Sequence, residues 1–139
     1  MQDFKKLQVW QKSHDLTLRM YKLTSRFPRE EMYGLTNQIR RACASMPTNI
    51  AEGCGRDSSA DFARFLHIAM GSANETEYLI LLARDLKYVD TGLFAGLMDT
   101  IIEVRKMLTS LLWRLKTVNW LLVTGYLCGI LRNVNSIIT

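Results

Sequence analysis

The chain is short of everything that staples or punctuates a fold. Its 139 residues include two prolines, Pro28 and Pro47, and eight glycines. So few breakers favour helices joined by short connections. Cys43, Cys54 and Cys128 make an odd set with no C-x-x-C spacing. That argues against a disulfide framework and for a reducing, cytoplasmic setting. The opening stretch MQDFKKLQVWQK has no signal-peptide apolar core. A membrane span needs about 20 apolar residues, whereas the apolar part of residues 118–131 is interrupted by Asn119, Thr124 and Gly125. No membrane partner is expected. Strand-like alternation and internal repeats are missing from residues 1–116.

Catalytic and metal-binding patterns are missing too. His14 and His67 stand without a Cys, His or carboxylate at a helical ligand spacing, so no metal and no cofactor are expected. Asp61 and His67, six apart, fall on different sides of a helix. Glu75 and Glu77 are two apart and do not face one another. They suit ion pairing with arginines of another helix, Arg40 and Arg41 first. Gly53-Cys54-Gly55-Arg56 has neither a preceding strand nor a following Gly-Lys-Ser/Thr, so it reads as a helix end rather than a phosphate loop. Cys54 reads as a small buried or turn-lining residue rather than an activated thiol. With no Ser/His/Asp or Cys/His set legible, the chain is read as not an enzyme.

What is present is helical periodicity and a mild basic excess. The formal charge is +5, and all 13 acids precede residue 104. This permits contact with an anionic partner without requiring one. Helix one is expected over residues 7–26, its stripe running through Leu7, Trp10, Thr17, Met20 or Tyr21, and Thr24, widened by Leu16 and Leu23. Pro28 breaks it, and Glu30 and Glu31 suit the start of helix two over residues 31–52. Pro47 inside helix two predicts a kink near residues 43–46, and Gly53 and Gly55 predict a left-handed cap. Ser58 or Ser59 should cap helix three, residues 59–87, with Asp61 in its first turn. Its stripe runs from Phe62 through Ala69 and Ala73 to Leu86. Asp90 or Thr91 should cap helix four, residues 91–116, with a seam of Phe94, Leu97, Ile101, Val104, Leu108, Leu111 and Leu115. The expected fold is all-α, an antiparallel up-down-up-down four-helix bundle over residues 1–116. Residues 117–139 form an apolar tail with a single charge, Arg132.

Helix two is the unusual element. Leu35, Ile39, Ala42, Met46 and Ile50 mark a core face, yet Asn37, Gln38, Arg40, Arg41, Asn49 and Glu52 sit among them. The polar groups are either a binding surface or a network that locks the subunit or the oligomer.

Three stretches carry a family resemblance: DFKKLQVWQKS at residues 3–13, FPREEMYGLTNQIRRACASMPTNIAEGCGR at 27–56 and FARFLHIAMGSANETEYLILLARDLKYV at 62–89. They resemble the 23S rRNA intervening-sequence proteins. The positions that match are Arg40, Arg41, Asn49, Glu52, Gly53, Gly55, Arg56, Phe65, Gly71, Ser72, Glu75 and Glu77. The resemblance implies a bacterial homopentamer of antiparallel bundles around a channel. It also implies kinship with the accessory variability proteins of diversity-generating retroelements, which bind nucleic acid and a reverse transcriptase. No catalytic residue is carried over. The family usually ends near Lys116, so the tail is a departure. The expected function is binding of RNA or a ribonucleoprotein through Arg40, Arg41 and Arg56, then Lys5, Lys6 and Lys12. The alternative is a protein-interaction scaffold in which these arginines pair with Glu52, Glu75 or Glu77, with Asn49 in the same network.

Overall fold

The computed structural model describes residues 2–123, with side chains through Val118. Four helices account for most of it: α1 (Gln8–Thr24), α2 (Leu35–Cys54), α3 (Ser59–Asp85) and α4 (Thr91–Val123). Short 3-10 turns at Phe4–Lys6 and Arg29–Glu31 precede α1 and α2. No strand occurs among the described residues, and the expected four-helix bundle is the fold. Cross-helix contacts pair rising numbers on one helix with falling numbers on the next. Thr17 and Thr24 of α1 meet Cys43 and Arg40 of α2. Ser45 of α2 meets Ser72 of α3, Glu77 and Arg84 of α3 meet Arg105 and Phe94 of α4, and Lys12 and Arg19 of α1 meet Glu103 and Thr100 of α4.

The start signals act largely as their chemistry dictates. Ser58 Oγ accepts the Asp61 amide at 3.1 Å, and Asp90 Oδ1 accepts the Leu93 amide at 2.9 Å, each satisfying an amide that the first helical turn leaves unpaired. Glu31 lies before α2 rather than in it, and its Oε2 accepts the Leu35 amide at 3.0 Å. The stop signals differ from expectation. Gly55 has φ −84°, so α2 ends without a left-handed residue. That conformation occurs instead at Lys87, φ 63°. There the Lys87 amide bonds the Arg84 carbonyl and the Tyr88 amide bonds the Ala83 carbonyl, a Schellman end to α3. Helix four also overruns its expected end at residue 116 and continues to Val123. Residues 124–139, the greater part of the expected tail, lie outside the described residues.

One core runs through all four helices. The predicted α2 face of Leu35, Ile39, Ala42, Met46 and Ile50 is buried throughout. On α3, Leu86 falls out of the predicted stripe and is exposed, because the helix has ended at Asp85. On α4 the seam holds through Leu97, Ile101, Val104 and Leu108, then passes to Leu112, leaving Leu111 and Leu115 half-buried. A strict three-four repeat drifts around a 3.6-residue helix, and the buried face drifts with it.

Helix α2 is unbroken across Pro47. Proline has no amide hydrogen, so the carbonyl of residue 43, four positions back, loses its helical donor. The Thr17 hydroxyl of α1 supplies the missing bond, donating to the Cys43 carbonyl at 2.9 Å. The same oxygen lies 2.8 Å from the Ser13 carbonyl, so one proton is shared between the two. The site is buried, where a carbonyl without a donor is costly. Thr17→Val should therefore destabilise the fold by about 1–3 kcal/mol. In a Pro47→Ala background, where residue 47 again supplies an amide to the Cys43 carbonyl, the same change should cost much less. Urea melts of the four proteins in this cycle check the coupling, and an equal cost in both backgrounds would refute it.

Candidate nucleic-acid interface

The arginines of α2 have different surroundings. Arg40 is half-buried against α1. Its Nε donates to Thr24 Oγ1 at 2.9 Å, and its guanidinium lies 4.8 Å from the Tyr21 ring centroid. Thr24 can accept this bond because its own proton goes to the Met20 carbonyl at 2.8 Å. The result is a chain of bonds between two helices in which Arg40 is a clamp. Arg41, one residue on and about 100° around the helix, is exposed and forms no ion pair among the described residues.

Neither arginine meets the carboxylates that the spacing suggested. Glu77 pairs with Arg105 of α4, which sequence reasoning passed over. The antiparallel register of α3 and α4 brings the two together, and only a decision on that register could have found the pair. Glu52 and Glu75 are exposed and outside every ion pair of the described residues. Asn49 turns back on its own helix, its Nδ2 donating to the Ser45 carbonyl at 2.8 Å and to Ser45 Oγ at 3.0 Å. Ser72 of α3 donates to the same Ser45 Oγ at 2.8 Å. Asn49, Ser45 and Ser72 thus form a polar seam between α2 and α3, without arginine.

Of the other candidate bases, Lys5, Lys6 and Arg56 lie at one end of the bundle and Lys12 on its flank. Lys12 pairs with Glu103 across α1 and α4. Lys5 and Lys6 are exposed on the first turn. Arg56 follows α2 and lies with its guanidinium 4.6 Å from the Phe65 ring centroid. Stacking occupies one face of a guanidinium and leaves its N–H edges available. Lys6 and Arg56, 50 residues apart in sequence, line one cleft of about 670 Å³ together with Arg114, Asp57, Ser58 and Ser59. Phe4, Trp10 and His14 make an aromatic ladder beside this end, with centroids 4.9 and 5.0 Å apart.

Gly53 sets the local packing of that end. A Cβ there would sit 2.7 Å from Phe62 Cδ2 and 3.0 Å from Phe65 Cβ. The glycine thus serves close approach of α2 to α3, not a left-handed turn. Burial pushes the Cys43 and Cys54 thiols up to about 11, with the Asp3 carboxylate adding to the effect at Cys54. Cys54 is buried at the α2 end and is no activated nucleophile. No cluster of three or more metal-ligating side chains occurs among the described residues. Nor is any described helix long and apolar enough to cross a membrane.

An all-helical four-helix bundle is the class of protein that the geometry defines. The family is settled by comparison. Residues 5–110 match the model of the 23S rRNA-intervening sequence protein family, and the chain belongs to that family. It is also similar to a crystal structure of a protein of unknown function from the S23 ribosomal protein family of Bacteroides thetaiotaomicron. The two share 30% identity over 75% of this chain and 94% of the other, with a TM-score of 0.70. No curated protein matches the chain.

Two outcomes follow for this region. Gly53→Ala should lower stability by about 1–3 kcal/mol, since the two phenylalanines must move to admit the methyl group; an unchanged urea midpoint would contradict the close approach. The cysteines supply a pH test. Each folded-state thiol ionises at about 11 against 9.0 for an ordinary thiol, so the unfolded chain releases its protons first. Their contribution to stability is whole below pH 9 and is lost as pH rises through 11. At pH 8, iodoacetamide should label Cys43 and Cys54 only after unfolding, as read by peptide mass mapping.

Proposed function

We propose that this chain is a non-enzymatic, homo-oligomeric bundle that binds RNA or a ribonucleoprotein through the basic end formed by Lys5, Lys6 and Arg56. The observation that carries this reading is the meeting of Lys6 and Arg56 on one cleft, with neither in an ion pair among the described residues. Aromatic side chains interleave with these bases, as suits contact with bases and phosphates together. Phosphate neutralisation supplies the affinity and makes it dependent on salt. Arg41 offers a second exposed contact on the flank. Arg40 and Lys12 hold helices together and contribute less to binding.

The oligomer is part of the proposal. Gly71 sits in the middle of α3 with open space where a Cβ would be, and a mid-helix glycine costs about 1 kcal/mol relative to alanine. Exposed Ile68 and Tyr78 flank it on the same helix face. These features suit close approach by another subunit, in keeping with the pentamer that the family resemblance implies.

The scaffold reading draws on Arg40. Its bond to Thr24 and its stacking on Tyr21 are what a subunit-locking arginine would make. In that reading the exposed surface recruits a protein partner.

Filter binding with structured rRNA fragments across a salt series separates the two readings. Lys6→Gln with Arg56→Gln should weaken binding and reduce the slope of log K against log salt by about 1 per contact removed, with the assembly unchanged by light scattering. Salt-insensitive or absent binding by the intact assembly would sink the RNA reading. Arg40→Ala should act the other way, lowering the melting temperature while leaving the salt slope in place.

A further inference from the structure

Helix α4 outruns α1 at the basic end. Lys12 pairs with Glu103 and Arg19 reaches Thr100, so the start of α1 at Gln8 lies beside the α4 turn near Met107. Helix α4 continues from there to Val123. Its second half differs in charge from the rest of the bundle. Arg105, Lys106, Arg114 and Lys116 fall close together, and no acid follows Glu103 in the chain. At about 100° per residue, Ile102, Lys106, Thr109, Trp113 and Lys116 lie within an arc of about 80°, with Arg105 at its edge toward α3. Arg114 turns the other way and lines the end cleft. Ser110 lies between and lines both that cleft and a second one, of about 510 Å³, formed with Met70, Ile102, Arg105, Lys106 and Thr109.

We infer, on the strength of the RNA reading above, that this face of α4 is a stacking platform for unpaired RNA bases, with Trp113 taking a base and Lys106 and Lys116 the flanking phosphates. Trp113 is 70% exposed. No other ring and no cation stacks on it among the described residues. Arg105 is held by Glu77, whereas Lys106 and Lys116 are exposed and outside every ion pair of the described residues. An indole face accepts any base that exposes its own face. In a duplex those faces are hidden in the stack, so an open ring between two lysines selects single strands. Lys106 to Lys116 spans about 15 Å along the helix, room for roughly four nucleotides at about 3.4 Å each. Charge selects the occupant. A second copy using the same face would set lysines against lysines, whereas a polyanion neutralises them. Past Ser110 and Arg114 the strand continues to Lys6 and Arg56 in the end cleft.

Fluorescence anisotropy of the full chain with a short labelled oligouridine, and with a labelled RNA hairpin as the paired control, tests this. Trp113→Ala should weaken oligouridine binding by about tenfold and hairpin binding by little, while Trp113→Phe keeps most of the affinity. Lys106→Gln with Lys116→Gln should reduce the slope of log K against log salt by about 0.7 per lysine. Oligouridine should quench the tryptophan emission of the wild type and much less that of Trp113→Phe. The replaced side chains are exposed, so each variant should keep the wild-type mass by light scattering. Equal oligouridine affinity of Trp113→Ala and the wild type would overturn the platform and leave the RNA reading standing, as would a wild-type preference for the hairpin. A changed mass in Trp113→Ala would assign the face to a second copy and overturn the platform as well. A wild-type chain that binds neither RNA would overturn both.

Discussion

The bond from the Thr17 hydroxyl to the Cys43 carbonyl makes the most sequence-sensitive feature of the bundle tolerable. Pro47 takes an amide out of the middle of α2, and that part of the helix is buried between its neighbours. A surface helix could leave the freed carbonyl to water. Here Thr17 crosses from α1 at 2.9 Å and closes the gap. The bond therefore fixes more than one carbonyl. It sets the register of α1 against α2, and Arg40 continues the same seam one or two turns along through Thr24. With α1 and α2 held in register, the start of α1 and the end of α2 meet at one end of the bundle. A backbone bond from the Gln2 amide to the Cys54 carbonyl at 3.3 Å marks that meeting. The relation between Lys6 and Arg56 depends on the same register.

The two sides of α2 solve different problems. Toward α1 it presents a freed carbonyl and an arginine, and α1 answers with threonines. Toward α3 it presents small residues. Ser45 and Ser72 share a hydrogen bond, and Gly53 admits the Phe62 ring where no Cβ would fit. Small residues at that interface allow close approach, and hydroxyls that bond back to their own helix can lie in it at little cost. Thr76 does so, donating to the carbonyl of residue 72, and the Ser72 hydroxyl lies 3.1 Å from the carbonyl of residue 68, its one proton shared between that carbonyl and Ser45 Oγ. The polar content of α2 is thus divided between an intersubstructure clamp, a hydroxyl seam and an exposed remainder. Arg41 and Glu52 belong to that remainder, and Arg56 lies exposed just beyond the helix.

The architecture was legible in the sequence because periodicity is a one-dimensional signal. The α2 face from Leu35 to Ile50 and the α4 seam from Leu97 to Leu108 are countable, and both are buried as counted. Start signals were legible for the same reason, since Ser58 and Asp90 act on amides three residues away. Stop signals were harder. Gly53 and Gly55 looked like the left-handed end of a helix, whereas the left-handed residue is Lys87, whose side chain gives no hint of it. Arginine partners were legible only in part: Glu77 pairs with an arginine of another helix, as its position suggested, but with Arg105 rather than Arg40 or Arg41. A guanidinium reaches a long way and can donate to a hydroxyl or a carboxylate or stack on a ring, so its destination depends on which side chains the packed helices bring near. Arg40 found Thr24 and Tyr21, and Glu77 found Arg105. The cleft was also hidden, because it comes from a mismatch of helix lengths that appears only once the register is known.

That geography bears on the choice between an RNA surface and a locking network, which the sequence presents as alternatives for one group of residues. In the proposed reading the two roles fall on different residues along the bundle. Arg40 faces inward at the α1–α2 seam, half-buried and oriented by two partners, so presenting it to a phosphate would mean breaking a cross-helix bond. Lys6 and Arg56 face the cleft at the end, and the one aromatic contact of Arg56 leaves its hydrogen-bonding edges available. A charge held by a cross-helix bond stabilises one arrangement, whereas an exposed charge on an open cleft retains its capacity for a ligand. The adjacent arginines that drew attention in the sequence are therefore divided by helix geometry. Arg40 belongs to the fold, Arg41 to the surface, and the basic end is built from residues that lie far apart in the chain.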